Sequence, residues 1–219
     1  GMWEETGYYL NLAINLGAYL GLGYGESVGA MVEREGLDVP DLALPAANVQ
    51  AAGSDWDRYA AAWDLSGLMA RFGLEPGFMP VAHPYKQYGL PAAAYRLKVP
   101  FTAHPMFGHD IIYTHPMNSG AAVGRTAERD FLCFVDSVSK LQGGVYLSVG
   151  SAVMSPMIFE KSLSMARNLV QQSGAAIDDF SLFVVDLAQS TWDWVGKGEP
   201  PPDHPDYYLR YCKTFHRMG

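Results

Sequence analysis

The spacing of apolar positions predicts helices in the first third of the chain. Apolar and small residues recur at helical spacing on one stripe, namely Leu10, Ala13, Ile14 and Gly17. A Gly-rich break at 21–25 follows, and a second short helix is predicted to close at Gly36. We therefore expect two packed helices.

The pattern changes after the second helix. Segment 37–53 contains two prolines and shows no periodicity, which predicts a loop or a covering arm. The stretch "SDWDRYAAAWDLSGLMARFG" then predicts a helix with Ser54 as its N-cap.

From residue 90 the chain alternates helical and β-prone segments. Helices are predicted at 90–98, 120–141 and 156–172, and strands at 99–104, 144–149 and 180–186. The last two strands are apolar enough to be buried on both faces of a parallel sheet. This βαβ order predicts an α/β fold, with ligands beyond the carboxyl ends of the strands.

We expect one α/β domain with three parts. These are a helical N-terminal part at 1–75, a βα core at 85–195 and a C-terminal arm at 196–219 that packs on the core or on a neighbouring subunit. The Gly-Met start and the end at "KTFHRMG" lead us to expect a fragment of a longer native chain.

Composition and charge restrict the class of protein. The 219 residues are 49% hydrophobic and carry a net charge of -8, with the basic residues scattered. This balance argues against a main role in binding nucleic acid or an anionic membrane surface, since both need a concentrated basic face. The chain lacks a bilayer-length apolar run and begins with two acids, so we predict a cytoplasmic protein. Cys133 and Cys212 form no CxxC pair, which makes disulfide and zinc-ribbon interpretations weak.

The segment "VPFTAHPMFGHDIIYTHPMNSG" at 99–120 carries the densest candidate chemistry. His104, His109, Asp110 and His115 are spaced H-x4-H-D-x4-H. Three interpretations stay open: a metal site, a pair of structural histidines that cap a helix and bond within the core, or the polar rim of a pocket. A pocket is favoured at Asp110, because a carboxylate after a glycine at a strand end often holds a ribose hydroxyl or a substrate amine. We predict no structural metal.

Two further strand ends carry polar side chains. In "VYLSVGSAVMSP", Gly150 and Ser151 follow a strand, and Ser155 with Pro156 predicts a helix start whose N–H groups favour an anion; a tight βα turn is the alternative. In "VVDLAQSTWDW", Asp186, Gln189 and Ser190 close a strand before two tryptophans, either as a ligand wall or as a plain strand terminus. We interpret Glu4, Glu5 and Glu26 as the acidic first turns of helices.

The stretches "LKVPFTAHPMFGHDIIYTHP", "GGVYLSVGSAVMSPMIFEKSLSMARNL" and "DDFSLFVVDLAQSTWDW" resemble the deoxyhypusine synthase-like family, in particular its uncharacterised bacterial branch. The resemblance covers roughly residues 85–195. It implies a three-layer Rossmann-like parallel sheet with helices on both faces, NAD as cofactor, and a homotetramer or homodimer.

The resemblance also implies roles for single residues. Asp110 is similar to an aspartate of the polyamine pocket, Gly150 and Ser151 match the glycine pair that lies against NAD, and "VVDLAQSTWDW" occupies the place of a nucleotide loop. True deoxyhypusine synthases carry a lysine just after the glycine pair, where this chain has Met154. A thioether cannot form an imine, so the usual aminobutyl transfer is excluded if the alignment holds.

These observations predict a protein that binds NAD and a small, possibly amine-bearing substrate. His104 and His109 are the candidate acid–base groups. The substrate set is Asp110, His115 and Asn118, and the cofactor set is Gly150, Ser151, Ser155, Asp186 and Gln189. We expect the pocket where "FGHD" and "VGSAVMSP" meet. The alternatives are a catalytically silent ligand-binding or oligomeric scaffold, and a metal-dependent hydrolase that uses His104, His109 and His115.

Overall fold

The computed structural model describes residues 2–42 and 56–218 of a mixed α/β protein in which helices predominate. Residue contacts divide the chain into two compact units, 1–133 and 134–219. The boundary falls within one long helix, α5 (Gly120–Ser139).

The first unit is mainly helical. Besides the start of α5, its elements are α1 (Met2–Leu20), α2 (Tyr24–Arg34), β1 (Gly36–Val39), α3 (Trp56–Phe72), β2 (Gly77–Pro80) and α4 (Leu90–Leu97). The predicted helix pair at the start of the chain is confirmed, as are the predicted helices at 90–98 and 120–141. The helix predicted after residue 54 is confirmed as α3, while its proposed N-cap, Ser54, lies outside the described residues.

Strand β1 corrects the prediction of a loop that begins at residue 37. It pairs antiparallel with β2, with Gly36 opposite Pro80 and Val39 opposite Gly77. Leu37 and Val39 point into the core while Asp38 is exposed. An alternation of only four residues is too short to stand out from sequence. The later part of the predicted loop, 43–53, lies outside the described residues.

Helix α1 forms the centre of the first unit because it is buried on every side from Asn11 to Ala18. Leu12 and Leu16 belong to a core cluster with residues of α2, α3 and β1. Ile14 and Ala18 belong to a second cluster with Ala122 and Val123 of α5, among others. A helix that is covered all round must satisfy its polar side chains within the protein.

Asp130 on α5 holds the glycine-rich connection between α1 and α2. Its carboxylate oxygen Oδ2 accepts the backbone N–H of Gly25 at 2.8 Å and that of Ala103 at 2.7 Å. A Cβ atom at Gly25 would collide with the carbonyl oxygen of Phe101, so only glycine allows this approach. Burial raises the pKa of Asp130, and the donated backbone N–H groups partly oppose that rise.

The predicted strand at 99–104 is wrong. These residues have no regular secondary structure. The N–H of Ala103 donates to the Asp130 side chain and not to a neighbouring strand, and Pro100 has no N–H to donate. A carboxylate remote in sequence thus takes the place of a strand partner.

The second unit contains a parallel βαβ arrangement. Its elements after α5 are β3 (Gly144–Val149), α6 (Met154–Gln171), β4 (Phe180–Val185), α7 (Trp194–Lys197) and α8 (Arg210–Met218). Strands β3 and β4 are parallel and pair from Gly144 opposite Phe180 to Val149 opposite Val185. The strands predicted at 144–149 and 180–186 are therefore confirmed, and α6 confirms the predicted helix at 156–172.

The predicted three-layer sheet is not seen. Throughout the described residues each sheet contains two strands, β1–β2 and β3–β4. Of the two alternatives expected for the C-terminal arm, the core or a neighbouring subunit, the structure shows packing on the core, because α8 contacts α6. Phe215 of α8 is buried with its ring 5.9 Å from that of Phe159, which is fully buried.

We expect Asp130→Ala to lower the free energy of unfolding by about 2–3 kcal/mol, because at least two backbone N–H groups would lose their buried acceptor. Urea titration followed by far-UV circular dichroism measures this. The control is Asp136→Ala on the same helix, whose exposed ion pair with Lys140 predicts a change within about 0.5 kcal/mol. Equal effects of the two substitutions would contradict the role given to Asp130.

Candidate functional site

A polar stripe on α1 positions the histidine-bearing segment. Asn11 and Asn15 lie one helical turn apart on a stripe that continues through Gly7 to Trp3. The Asn11 side-chain N–H donates to the carbonyl oxygens of Gly7 and Ile112, at 2.7 and 3.0 Å. The Asn15 amide donates to the carbonyl oxygen of Asn11 at 2.8 Å. Buried amides thus join the helix to residues more than 100 positions away.

The same stripe also binds the residues on either side of His115, namely Thr114 and Asn118. The indole N–H of Trp3 donates to the hydroxyl oxygen of Thr114 at 2.9 Å. The Asn118 side-chain N–H donates to Oδ1 of Asn11 at 3.1 Å. Asn118, which was predicted to bind substrate, therefore uses its side chain to attach the segment around His115 to α1.

His115 is the one histidine of the predicted cluster that the structure buries, at 7% exposure. Its Nδ1 accepts the backbone N–H of Met117 at 3.1 Å, so the neutral ring carries its proton on Nε2. The ring centroid lies 5.5 Å from that of Trp3 and 6.2 Å from that of Tyr8. A Cβ atom at Gly7 would lie 3.1 Å from the ring, so any larger residue there would require the ring to shift by a few tenths of an ångström.

A cleft of about 730 Å³ opens beside His115. Its walls combine aromatic rings with two carboxylates and are formed by Trp3, Glu4, Glu5, Tyr8, Tyr9, Phe72, His115 and Pro116. Helix α1 supplies most of the wall, since five of the eight lining residues lie on two adjacent turns near its start. A cleft of this size accommodates a small organic ligand.

The electrostatics of the cleft favour positive charge. Glu4 and Glu5 are exposed on the first turn of α1, as the sequence predicted, and both carboxylates also line the cleft. Burial, and to a lesser extent the neighbouring Tyr9, raises the pKa of Tyr8 above its ordinary value. Tyr8 therefore remains a neutral hydroxyl at physiological pH. Carboxylates beside aromatic faces attract a cation.

The other residues of the predicted histidine cluster lie outside this set of lining residues. His104 is half-buried with its Nε2 3.1 Å from the Thr102 hydroxyl, and burial lowers its pKa. His109 is exposed. Asp110 is exposed and accepts the hydroxyl of Tyr113 at 2.9 Å. Across residues 2–42 and 56–218, no group of three His, Cys, Asp or Glu side chains is placed to hold a metal ion.

The turn after β3 places Gly150, Ser151 and Ser155 together in the second unit. Gly150 has a left-handed backbone, with φ of 62°. The hydroxyl of Ser151 accepts the N–H of Ser155 at 3.0 Å. The predicted helix start is wrong in detail, since α6 begins at Met154 and Ser155 lies inside its first turn. The Ser151 hydroxyl thus accepts a helix-start N–H group that the sequence analysis had offered to an anion. The hydroxyl of Ser155 lies 2.7 Å from that of Tyr146.

The segment after β4 is held by a residue of the C-terminal arm. Asp206 is buried, and its Oδ2 accepts the Ser190 hydroxyl and the N–H groups of Thr191 and Trp192 at 2.8–2.9 Å. Asp186 accepts the N–H of Ala188 at 2.9 Å, while Gln189 is exposed. These hydrogen bonds give Asp186 and Ser190 a structural role in the turn after β4.

Sequence reasoning missed the aromatic wall of the cleft. Trp3, Tyr8 and Tyr9 were available as a signal, since they fall on two neighbouring turns of a predicted helix beside two glutamates. Phe72 and His115 are distant in sequence, and only tertiary contacts bring them to α1. The predicted junction of "FGHD" with "VGSAVMSP" involves one segment from each unit and stays a prediction.

Comparisons with protein-family models, with curated proteins and with solved structures gave no match. In the part of the chain that the structure describes, no helix has the length and apolar character needed to cross a bilayer.

We expect Asn11→Ala to loosen the segment that carries His115. The substitution removes the donor to Ile112 and the acceptor for Asn118, so amide hydrogen exchange at 112–118 should accelerate by about tenfold or more, the equivalent of about 1.4 kcal/mol. Asn168→Ala, at an exposed position of α6, is the control and should leave these amides unchanged. Unchanged exchange in Asn11→Ala would contradict the anchoring role.

Proposed function

We propose that the chain binds a small amine-bearing substrate in the cleft beside His115. The observation that carries this proposal is the combination of two carboxylates with four aromatic rings around one cleft of about 730 Å³. An ammonium group interacts favourably with ring faces and with carboxylates, and a neutral polar group of the same size gains much less from either.

His115 can contact an acceptor group elsewhere on such a substrate, because an ammonium group has no lone pair to accept its proton. Its Nδ1 is occupied by the Met117 N–H, which leaves Nε2 as the nitrogen that can donate to a ligand. An acid–base role for His104 or His109 needs a substrate that extends beyond the residues lining the cleft. If the family alignment holds, Met154 stands in place of the lysine that forms the imine, so redox or elimination chemistry is the proposed reaction class. A binding protein without catalysis is the alternative, and the same cleft supports it.

NAD binding is the second candidate function. It is supported by the parallel β3–α6–β4 arrangement and by the left-handed Gly150 at the turn between β3 and α6. We propose that this βαβ arrangement is a Rossmann-like unit and that NAD lies against Gly150 and Ser151. Ser151 already accepts the N–H of Ser155. A phosphate at this helix start would therefore have to accept the backbone N–H groups of residues that precede Ser155.

The amine proposal predicts a charge-selective ligand. 1,4-Diaminobutane should release or absorb measurable heat in calorimetry, while 1,4-butanediol of the same length should not. Glu5→Gln should weaken diamine binding by about tenfold, the loss of one charge-assisted contact. Glu75→Gln is the control, because Glu75 is an exposed glutamate outside the cleft lining.

Two outcomes would refute amine binding at this cleft. One is equal affinity for the diamine and the diol. The other is diamine binding that persists unchanged in both Glu5→Gln and Trp3→Ala, because these remove a carboxylate and the largest ring of the wall.

The NAD proposal predicts that bulk at Ser151 blocks the cofactor. Ser151→Leu should abolish NAD binding in calorimetry, since the longer side chain would occupy the turn. Ser151→Ala is the matched control: it removes the hydroxyl that accepts the Ser155 N–H but adds no bulk, so NAD affinity should fall by about threefold at most. Failure of the parent protein to bind NAD would favour the catalytically silent alternative.

A further inference from the structure

One face of the β3–β4 sheet is apolar and exposed. Parallel partners at the same register project to the same side, and the outward rows are Val145 with Ser181, Leu147 with Phe183, and Val149 with Val185. The five apolar side chains in these rows are each between 55% and 61% exposed. Leu187, two residues beyond the end of β4, is also fully exposed.

The opposite face of the same sheet is covered. Tyr146 on that face stacks 4.1 Å from the ring of Phe159 in α6 and lies 5.9 Å from that of Phe215 in α8. Ser148, also on that face, is buried. Parallel sheets are ordinarily covered on both faces, so the bare side of this sheet departs from the rule. Scattered apolar residues need no explanation, whereas a contiguous apolar patch indicates an interaction site.

The extent of the patch suits a dimer interface. The six exposed apolar side chains together present roughly 600 Å² per copy, at the upper end of the largest patch found on a typical monomer. Two copies in face-to-face contact would bury roughly 1,200 Å², which reaches the lower limit of specific interfaces.

The chemistry of the patch suits a partner identical to itself. A two-fold interface brings each patch against its own copy, so any charge on it would face a like charge. The three outward rows contain no charged side chain; Ser181 is their one polar residue. Apolar rows of branched and aromatic side chains from two such sheets can interdigitate as in sheet-on-sheet packing.

We propose that two copies of this chain pack face to face through the outward rows of β3 and β4. The second copy then supplies the layer that the sheet lacks on this side. This proposal rests on the outward rows alone and not on the proposed amine or NAD binding, although Val149 directly precedes the NAD turn at Gly150.

Multi-angle light scattering of the whole chain, from low micromolar to about 100 micromolar, tests the interface. The parent protein should be a dimer within this range. Leu147→Lys and Phe183→Lys should each raise the dimer dissociation constant by more than about tenfold, because a buried lysine would face the apolar rows of the partner. Val195→Lys, at a position of α7 that is 97% exposed, should leave the constant unchanged.

Far-UV circular dichroism shows whether the lysine variants fold. If they do not, the milder pair Leu147→Thr and Phe183→Thr decides the question, because threonine keeps the preference for strands and removes most of the apolar surface. A parent protein that stays monomeric at about 100 micromolar would overturn the proposal. A dimer that persists in folded variants at both positions 147 and 183 would also overturn it.

Discussion

The first unit depends on a helix that is buried on all sides and yet carries two asparagines. Burial of α1 gives that unit its core, but a buried amide without a hydrogen-bond partner would offset much of the gain. Asn11 resolves this conflict through the carbonyl of Ile112 and the amide of Asn118. The need to satisfy these groups fixes a distant segment against the helix, and that segment carries His115.

The cleft is a consequence of this arrangement. Once the segment is attached to α1, His115 lies between Trp3 and Tyr8, and the acidic first turn of the helix faces the same space. Asp130 acts in a comparable way beyond the other end of α1, where its carboxylate accepts the backbone N–H groups of both Gly25 and Ala103. In both places a polar side chain in the interior, and not a sheet, sets the path of the chain.

The second unit follows a different principle. Its two strands are apolar on both faces, but α6 and α8 cover one face only. The proposed dimer and the proposed NAD turn concern different parts of this sheet, since the first uses its bare face and the second the carboxyl end of β3. A single unit can therefore serve both assembly and ligand binding.

The sequence by itself determined α1 to α6 and the two parallel strands, because the apolar patterns of these elements are local. It also placed Glu4 and Glu5 on the first turn of α1. It did not predict α7 or α8. Tertiary structure alone decided that 99–104 is not a strand and that Phe72 and His115 meet α1, while a nearby side chain, Ser151, accepts the Ser155 N–H that the sequence left to an anion. Each of these outcomes depends on a contact between residues distant in the chain, or on a side chain competing for a backbone donor, and local periodicity contains no information about either.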